Sequence, residues 1–280
     1  RTLAAADAAV MLVDSVKGVQ PQTIKLFDVC HMRGIPIVTF INKMDQSGQA
    51  PLDLIDEIER VLGIPCSASN WPVGNGKEFQ GVYDRWDKQM LRFDRVGEAG
   101  SKHAPMSAAN LDDPDIREAV GDLAHARVHE ELSLLEAAGT PFDREAFLSG
   151  KQTPVFFGSA MTNFGVEPFL DRLVDLAPPP RQRETTAGML AADDPKFSGF
   201  VFKIQANMDP NHRDRIAFVR VCSGKFVRGM DVKHVRTGKT LTLNKSLTFL
   251  AQERVVVEEA ISGDIVGLWD PGILRIGDAL

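Results

Sequence analysis

The sequence predicts an α/β domain with a doubly wound, mostly parallel sheet, followed by a small all-β barrel. Three observations carry that expectation. Short apolar runs alternate with amphipathic helices over the first 180 residues, which is the pattern of β-α-β units. Two of those runs feed directly into small polar loops, Asn42-Lys43-Met44-Asp45 and Gly158-Ser159-Ala160-Met161, and ligands of open α/β sheets bind at the carboxyl ends of the strands. From Phe197 onward the texture changes to short β-branched runs punctuated by glycines, the spacing of an all-β barrel.

Taken in order, 8–14 (AAVMLVD) reads as a buried parallel strand, short and apolar throughout. Residues 21–33 form a helix with Ile24, Phe27 and Cys30 on one face, and Gly34 follows at the C-cap. Residues 37–41 (IVTFI) are a second buried strand that runs into Asn42. Residues 51–62 are an amphipathic helix with Leu52, Ile55, Ile58 and Leu62 as its apolar face, closed by Gly63. The stretch 65–150 interrupts the alternation as an insertion. Residues 72–77 (PVGNGK) are turn chemistry, 79–85 and 91–94 are short meander strands, and 97–113 is a flexible loop. Residues 114–136 then read as one long helix with Ile116, Val120, Leu123, Val128, Leu132 and Leu135 as its core stripe. Strand 154–157 and helix 166–176 complete the domain, which spans 1–180. Pro178-Pro179-Pro180 stops that helix and opens a polar linker over 181–196. The barrel, 197–280, holds strands at 200–204, 216–221, 231–235, 241–243, 254–258 and 265–269, with no helix.

Composition bounds the function. The chain has 280 residues, 44% hydrophobic and 25% charged, as in ordinary globular proteins, and no apolar run approaches a membrane span. The three cysteines, Cys30, Cys66 and Cys222, form no CxxC. Neither a disulfide framework nor a zinc-thiolate site is expected, and a reducing cytoplasm is the natural setting. The net charge of -6 divides into -8 over residues 1–189 and +2 over 190–280. The acidic first part excludes a simple nucleic-acid-binding protein, DNA included, while the mildly basic second part admits a local RNA contact.

The chemistry concentrates in the two loops. The carboxylate of Asp45 suits guanine, because it accepts from both ring N1–H and the exocyclic amine. Adenine offers no such pair, and a buried acceptor left unmet is costly. Asn42 is placed to bond the purine edge and brace neighbouring loops, and the stem of Lys43 to lie along the base with its ammonium solvated. Ser159 is placed to brace the second loop, and a backbone N–H near Ala160 to donate to guanine O6. Met161 closes that loop. A helix-capping Asx turn is the alternative role for Asn42 and Asp45. The histidines (His31, His125, His129 and His212 among them) show no third ligand at metal spacing, although His125 and His129 are four apart. Ordinary packing or surface roles and no metal site are therefore expected. No GxxxxGK(S/T) phosphate loop and no DxxG element with a following His are present. The sequence therefore reads as a base-recognition half-site with no catalytic residue of its own.

In their order, AAVMLVDSVKGVQPQT, IPIVTFINKMD and GSAMTNFGVEPFLD resemble the translational GTPase family. PVGNGKEFQGVY resembles the insertion of elongation factor G and of class II release factors. FVFKIQANMDPNHRDRIAFVRVCSGKF and VVVEEAISGDIVGLWDPGILRIGDAL resemble the second-domain barrel of the class II release factors. The resemblance implies a partial P-loop GTPase (G) domain with an insertion, its phosphate loop and switch segments lying upstream, so a fragment of a longer protein is expected, as the opening at Arg1 also suggests. It implies GTP or GDP with Mg²⁺ as ligands of the intact protein, with Asn42, Lys43, Asp45 and Ser159, Ala160, Met161 on the guanine. It further implies ribosome-stimulated GTP hydrolysis in translation termination, with the ribosome and class I peptide chain release factors as partners. The 280-residue chain alone is expected to be inactive and to hold nucleotide weakly or not at all. Arg213, Arg215, Arg220, Lys225 and Arg228 are candidate ribosome contacts. The alternatives are an elongation factor G-like or ribosome-protection GTPase, a ribosome-binding module without nucleotide activity, and a metabolic α/β enzyme.

Overall fold

The computed structural model describes residues 2–93, 106–186, 188–206, 215–244, 246–250 and 253–280. They divide into two units, Ala8–Ala177 and Arg1–Asp7 with Pro178–Leu280.

The first unit is built on four parallel strands, β1 (Ala9–Asp14), β2 (Ile37–Asn42), β3 (Cys66–Ala68) and β8 (Thr153–Phe157). They lie in the order β1-β2-β8-β3. β2 is buried from Ile37 to Ile41 and β8 along its whole length, as expected of strands covered on both faces. β1 lies at the sheet edge, and its Val10 and Leu12 are exposed. Helix α1 (Pro21–Met32) joins β1 to β2, and α2 (Pro51–Leu62) follows β2. Both begin with proline at the first position, where its missing N–H costs nothing. α2 ends on Gly63 in the left-handed region. Its buried side chains are Pro51, Leu54 and Ile58, so the core face is rotated from the predicted Leu52, Ile55, Ile58, Leu62 stripe, and only Ile58 is common to both.

The insertion differs from its sequence reading in four places. Asn70–Val73, read partly as turn, is strand β4. It is the edge of an antiparallel sheet continued by β5 (Gly81–Asp84), β6 (Gln89–Phe93) and β7 (Met106–Ala109), in that order. Pro72 is tolerated there because an edge strand leaves one row of amides unpaired. β7 falls within the predicted loop 97–113, of which 97–105 lie outside the described residues. The single helix predicted over 114–136 is two, α3 (Pro114–Val120) and α4 (Asp122–Ala138), broken at Gly121 with φ 88 and ψ 144. That conformation is open to glycine and turns the helix axis, while the Gly121 amide still donates to the Arg117 carbonyl and its own carbonyl accepts from the His125 amide. Leu123, predicted in the core, is exposed beside the break, whereas Ile116, Val120, Val128, Leu132 and Leu135 are buried. A short helix unread in the sequence, α5 (Arg144–Leu148), is capped by Asp143, whose Oδ1 accepts from the amides of Glu145 and Ala146 at 2.8 and 3.1 Å. Beyond β8, α6 (Val166–Leu176) buries Phe169 and Leu176 in a cluster with Val38, Phe40, Phe147 and Phe156.

The second unit is β-rich. Within the predicted linker, β9 (Arg183–Thr185) and β10 (Gly188–Leu190) form a hairpin. The main sheet contains β11 (Ser198–Ala206) and β12 (Arg215–Ser223). The short strands β13 (Lys225–Val227) and β14 (Asp231–Lys233) follow, then β15 (Thr240–Thr242). β16 (Ser246–Leu250), β17 (Glu253–Val256), β18 (Glu259–Ile261) and β19 (Ile265–Trp269) complete the unit. The five-stranded antiparallel sheet runs β11-β12-β19-β16-β17, with β13 on β18 and β14 on β15. The chain end returns along the other side of β11, where Gly199 and Leu280 exchange both backbone hydrogen bonds. Val201, Val219, Phe226, Val266 and Leu268 are core residues. Most of the predicted QANMDPNHRDR loop, residues 207–214, lies outside the described residues.

Candidate guanine-binding loops

The parallel register aligns Asp14 with Asn42 at the carboxyl ends of β1 and β2. β8 pairs beside β2, opposing Phe157 to Ile41. Three strand ends therefore deliver three loops to one edge of the sheet. Gly158 makes a close passage. A Cβ there would stand 2.7 Å from both the Phe164 carbonyl oxygen and the Phe40 ring, so only glycine lets the two loops meet. Backbone bonds then lock them: Gly158 donates to Ile41, and Met44 donates back to Gly158.

The side chains complete the lock. Asn42 Oδ1 accepts from the amides of Lys43 at 2.8 Å and Ala160 at 2.9 Å. Asp45 Oδ1 accepts from Ser159 Oγ at 2.5 Å, and Ser159 Oγ also receives the Thr162 amide at 3.3 Å. Ser159 is fully buried and Asp45 half-buried. The second Asp45 oxygen has no partner among the described residues. The loops thus hold one side of a carboxylate and leave the other half as an acceptor, which is what a base offering two adjacent donors requires.

Lys43 is placed differently from its sequence expectation. Its backbone is left-handed, φ 72, a costly conformation for a side chain of its type. Its ammonium does not stand free in solvent but lies 2.8 Å from Asp14 Oδ2. That hydrogen bond, the largest influence, holds the Asp14 carboxyl below the ordinary carboxylate range, and burial opposes it. Asp14 Oδ1 accepts from Val16 and Lys17, and Ser15 Oγ donates to the Lys43 carbonyl at 2.9 Å. Asp14 and Ser15 are positioning residues that the sequence reading missed. The signal was present, since Asp14 ends a buried strand just as Asn42 does. The Ala160 amide, expected near guanine O6, is engaged by Asn42, whereas Met161 is exposed at the loop tip.

The candidate ribosome contacts fare unevenly. Arg213 lies outside the described residues. Arg220 is buried, donating to the Ala5 carbonyl and ion-paired with Asp7, and so is withdrawn from any phosphate. Arg215 is turned onto buried Asp270 at 2.8 Å and donates to the Leu274 carbonyl. Lys225 and Arg228 are exposed, paired with Glu259 and Glu258. Strand alternation sends Ala217, Val219 and Val221 into the core and Arg220 to the opposite face, where its partners Ala5 and Asp7 make it a structural cation.

The class that this fold and these loops define is a GTPase-type α/β domain joined to a β-rich second domain. The family model described as elongation factor Tu GTP binding domain matches residues 1–179, and that described as elongation factor G domain 2 matches 196–280. The chain belongs to the translational GTPase family, its larger part being an elongation factor Tu-type GTP binding domain. Over all 280 residues it is 53% identical to peptide chain release factor 3 of Symbiobacterium thermophilum and 53% identical to that of Gloeobacter violaceus, covering 53% and 52% of those proteins. It is 52% identical to peptide chain release factor 3 of Listeria monocytogenes over 283 aligned positions, again covering 53% of it. The chain spans about half the length of these curated relatives. A crystal structure of a Thermus thermophilus protein superposes with a TM-score of 0.72, covering 99% of this chain and 40% of that one at 23% identity, a likeness of fold. Among the described residues no helix is long and apolar enough to cross a membrane.

Proposed function

We propose that this chain carries the guanine-recognition half of a GTP-dependent translation termination factor of the class II release factor type, working in the cytoplasm. The observation that carries the reading is the half-engaged Asp45 carboxylate, its Oδ1 fixed by buried Ser159 and its other oxygen without a partner among the described residues. Asn42 ties the two base loops together, and Lys43, anchored on Asp14, sets the approach of its own stem to the base. Met161 lies at the rim. The ligand is GTP or GDP. The residues here fit the purine, while Mg²⁺ and the phosphates fall to segments outside this sequence, which contains no phosphate-loop motif.

In the whole protein, GTP hydrolysis on the ribosome drives departure of class I release factors. The coupling is a difference in binding free energy between two states of the factor. The names of the relatives support this reading over an elongation factor G-like GTPase or a module without nucleotide activity. Calorimetry with the full-length parent protein tests it. Asp45→Asn is expected to lose GDP affinity by about a hundredfold or more and to gain xanthosine diphosphate, because a bidentate charge-assisted contact is exchanged for an amide that pairs with the xanthine edge. Equal GDP binding by both proteins would return Asp45 to an Asx turn. The 280-residue chain itself is expected to bind GDP more weakly than about 1 μM, since phosphate contacts dominate nucleotide affinity.

A further inference from the structure

The break at Gly121 has a chemical consequence. In one unbroken helix, Asp112 would stand about 20 Å along the axis from His125, roughly thirteen residues at about 1.5 Å each. Because α3 and α4 are separate helices, the Asp112 carboxylate instead lies beside the second turn of α4. Its Oδ1 is 2.9 Å from His129 Nε2 and 3.6 Å from His125 Nε2. The two imidazoles, one helical turn apart, have ring centroids 4.5 Å apart at 56°. One ligand atom from each of the three residues falls within 4.8 Å of the others.

We propose that Asp112, His125 and His129 form a site for one zinc-type divalent cation. Around a tetrahedral ion with nitrogen and oxygen ligands at about 2.0–2.2 Å, ligand atoms stand roughly 3.3 Å apart, and the two carboxylate–imidazole separations bracket that value. The direction of the atoms favours the ion over a simple ion pair. His129 Nε2 is buried at the atom level and makes no hydrogen bond among the described residues, although Asp112 Oδ1 is within reach. The 2.9 Å approach of the two atoms is therefore off the axis of a hydrogen bond. Two neutral imidazoles and one carboxylate select zinc, cobalt or nickel over magnesium or calcium, which take oxygen cages.

The protein side of the balance is explicit. His125 Nε2 lies 3.1 Å from the Leu111 carbonyl oxygen. To ligate a metal, that nitrogen gives up any proton it holds there, and the ring takes the Nδ1–H tautomer. Asp112 is open to solvent and the His129 ring partly so, whereas the His125 side chain is mostly buried, so the site has one exposed and one rigid ligand. Bound metal would clamp the turn at 110–113, in which Asp112 N–H already donates to Asn110 Oδ1, across α3 and the Gly121 break to α4.

The test is titration of the tag-free 280-residue chain with Co²⁺, followed in the visible d–d bands, and with Zn²⁺ by calorimetry. One equivalent of each metal is expected to bind saturably, with micromolar or better affinity. His129→Gln and Asp112→Asn are each expected to weaken it about tenfold or more, and His31→Gln is expected to leave it unchanged. Zn²⁺ is also expected to raise the Tm of the wild type and not that of His129→Gln, the metal-free Tm values of the two being the same. Absence of saturable binding by the wild type, or equal binding by wild type and His129→Gln, would overturn the proposal and leave an ion pair.

Discussion

Two carboxylates, one in each unit, set a candidate binding group against a structural one. Asp278 in the β-rich unit is buried with its valence filled. Its Oδ1 accepts from Arg236 Nε, and its Oδ2 accepts from Arg236 Nη2 and from the Arg275 amide at 2.8 Å, and contacts His234 Nε2 at 2.8 Å. The Arg236 guanidinium chiefly holds its carboxyl far below the ordinary range. His234 is itself fully buried and bonded to Thr237 through Nδ1. Asp45 in the α/β unit is half-buried and holds one hydroxyl. Both side chains are fixed in direction, but only Asp45 keeps acceptor capacity facing outward. A saturated carboxylate joins strands; a half-saturated one, held by loops that cannot move independently, waits for donors from elsewhere.

The sharpest way to break that contrast is to remove each group. Asp278→Ala is expected to destabilise the β-rich unit by about 1–3 kcal/mol, because fully buried His234 and the Arg275 amide lose their acceptor while the exposed Arg236 turns to water. Urea unfolding followed through circular dichroism measures it, and a change below about 1 kcal/mol would show that water reaches the corner. Ser159→Ala removes the single hydroxyl on Asp45 and should cost about 0.5–1.5 kcal/mol in the same experiment. In full-length protein the same variant should weaken GDP binding by loosening Asp45 while preserving the preference for guanine over xanthine. A reversal of that preference would mean that Ser159 itself reads the base.

The smallest effect concerns Lys43 and Asp14. The folded carboxyl of Asp14 titrates below its unfolded value because of Lys43. The unfolded chain therefore takes up the proton first as pH falls. The stabilisation is complete above the unfolded pKa of about 3.9 and is lost as pH drops through the lower folded value. Since Lys43 is substantially exposed, the pair is worth under about 1 kcal/mol. Lys43→Met should lower unfolding free energy by that small amount at neutral pH, and the difference from wild type should shrink below about pH 4. A difference constant from about pH 7 to about pH 3 would show that the effect does not come from the Lys43–Asp14 ion pair.

Much of the site was legible because its signals are local. A buried strand must end somewhere, and a strand ending in Asn-Lys-Met-Asp places polar chemistry at the sheet edge regardless of what surrounds it. Gly158 was readable as loop chemistry, but the clash that makes it necessary involves Phe40 and Phe164, which only the fold brings near. The ion pair of Lys43 with Asp14 joins residues distant in the chain and follows from parallel register. Strand β4 was obscured by Pro72, and its tie to β8 runs through the Asn70 side chain, which bonds both the Phe157 amide and carbonyl. No backbone pattern announces a side chain standing in for a strand.

By itself the sequence determined the alternation of strands and helices, the two polar loops at strand ends and the change to β structure after residue 197. Each depends on period, turn chemistry and burial along a short stretch, and those forces act between neighbours. Tertiary structure alone decided which cations stay on the surface, where the helix of the insertion breaks, and that Asp112 meets His125 and His129. Those outcomes depend on which face of an element finds a partner and on one glycine at φ 88. The free energy that settles them comes from contacts between residues far apart in the chain.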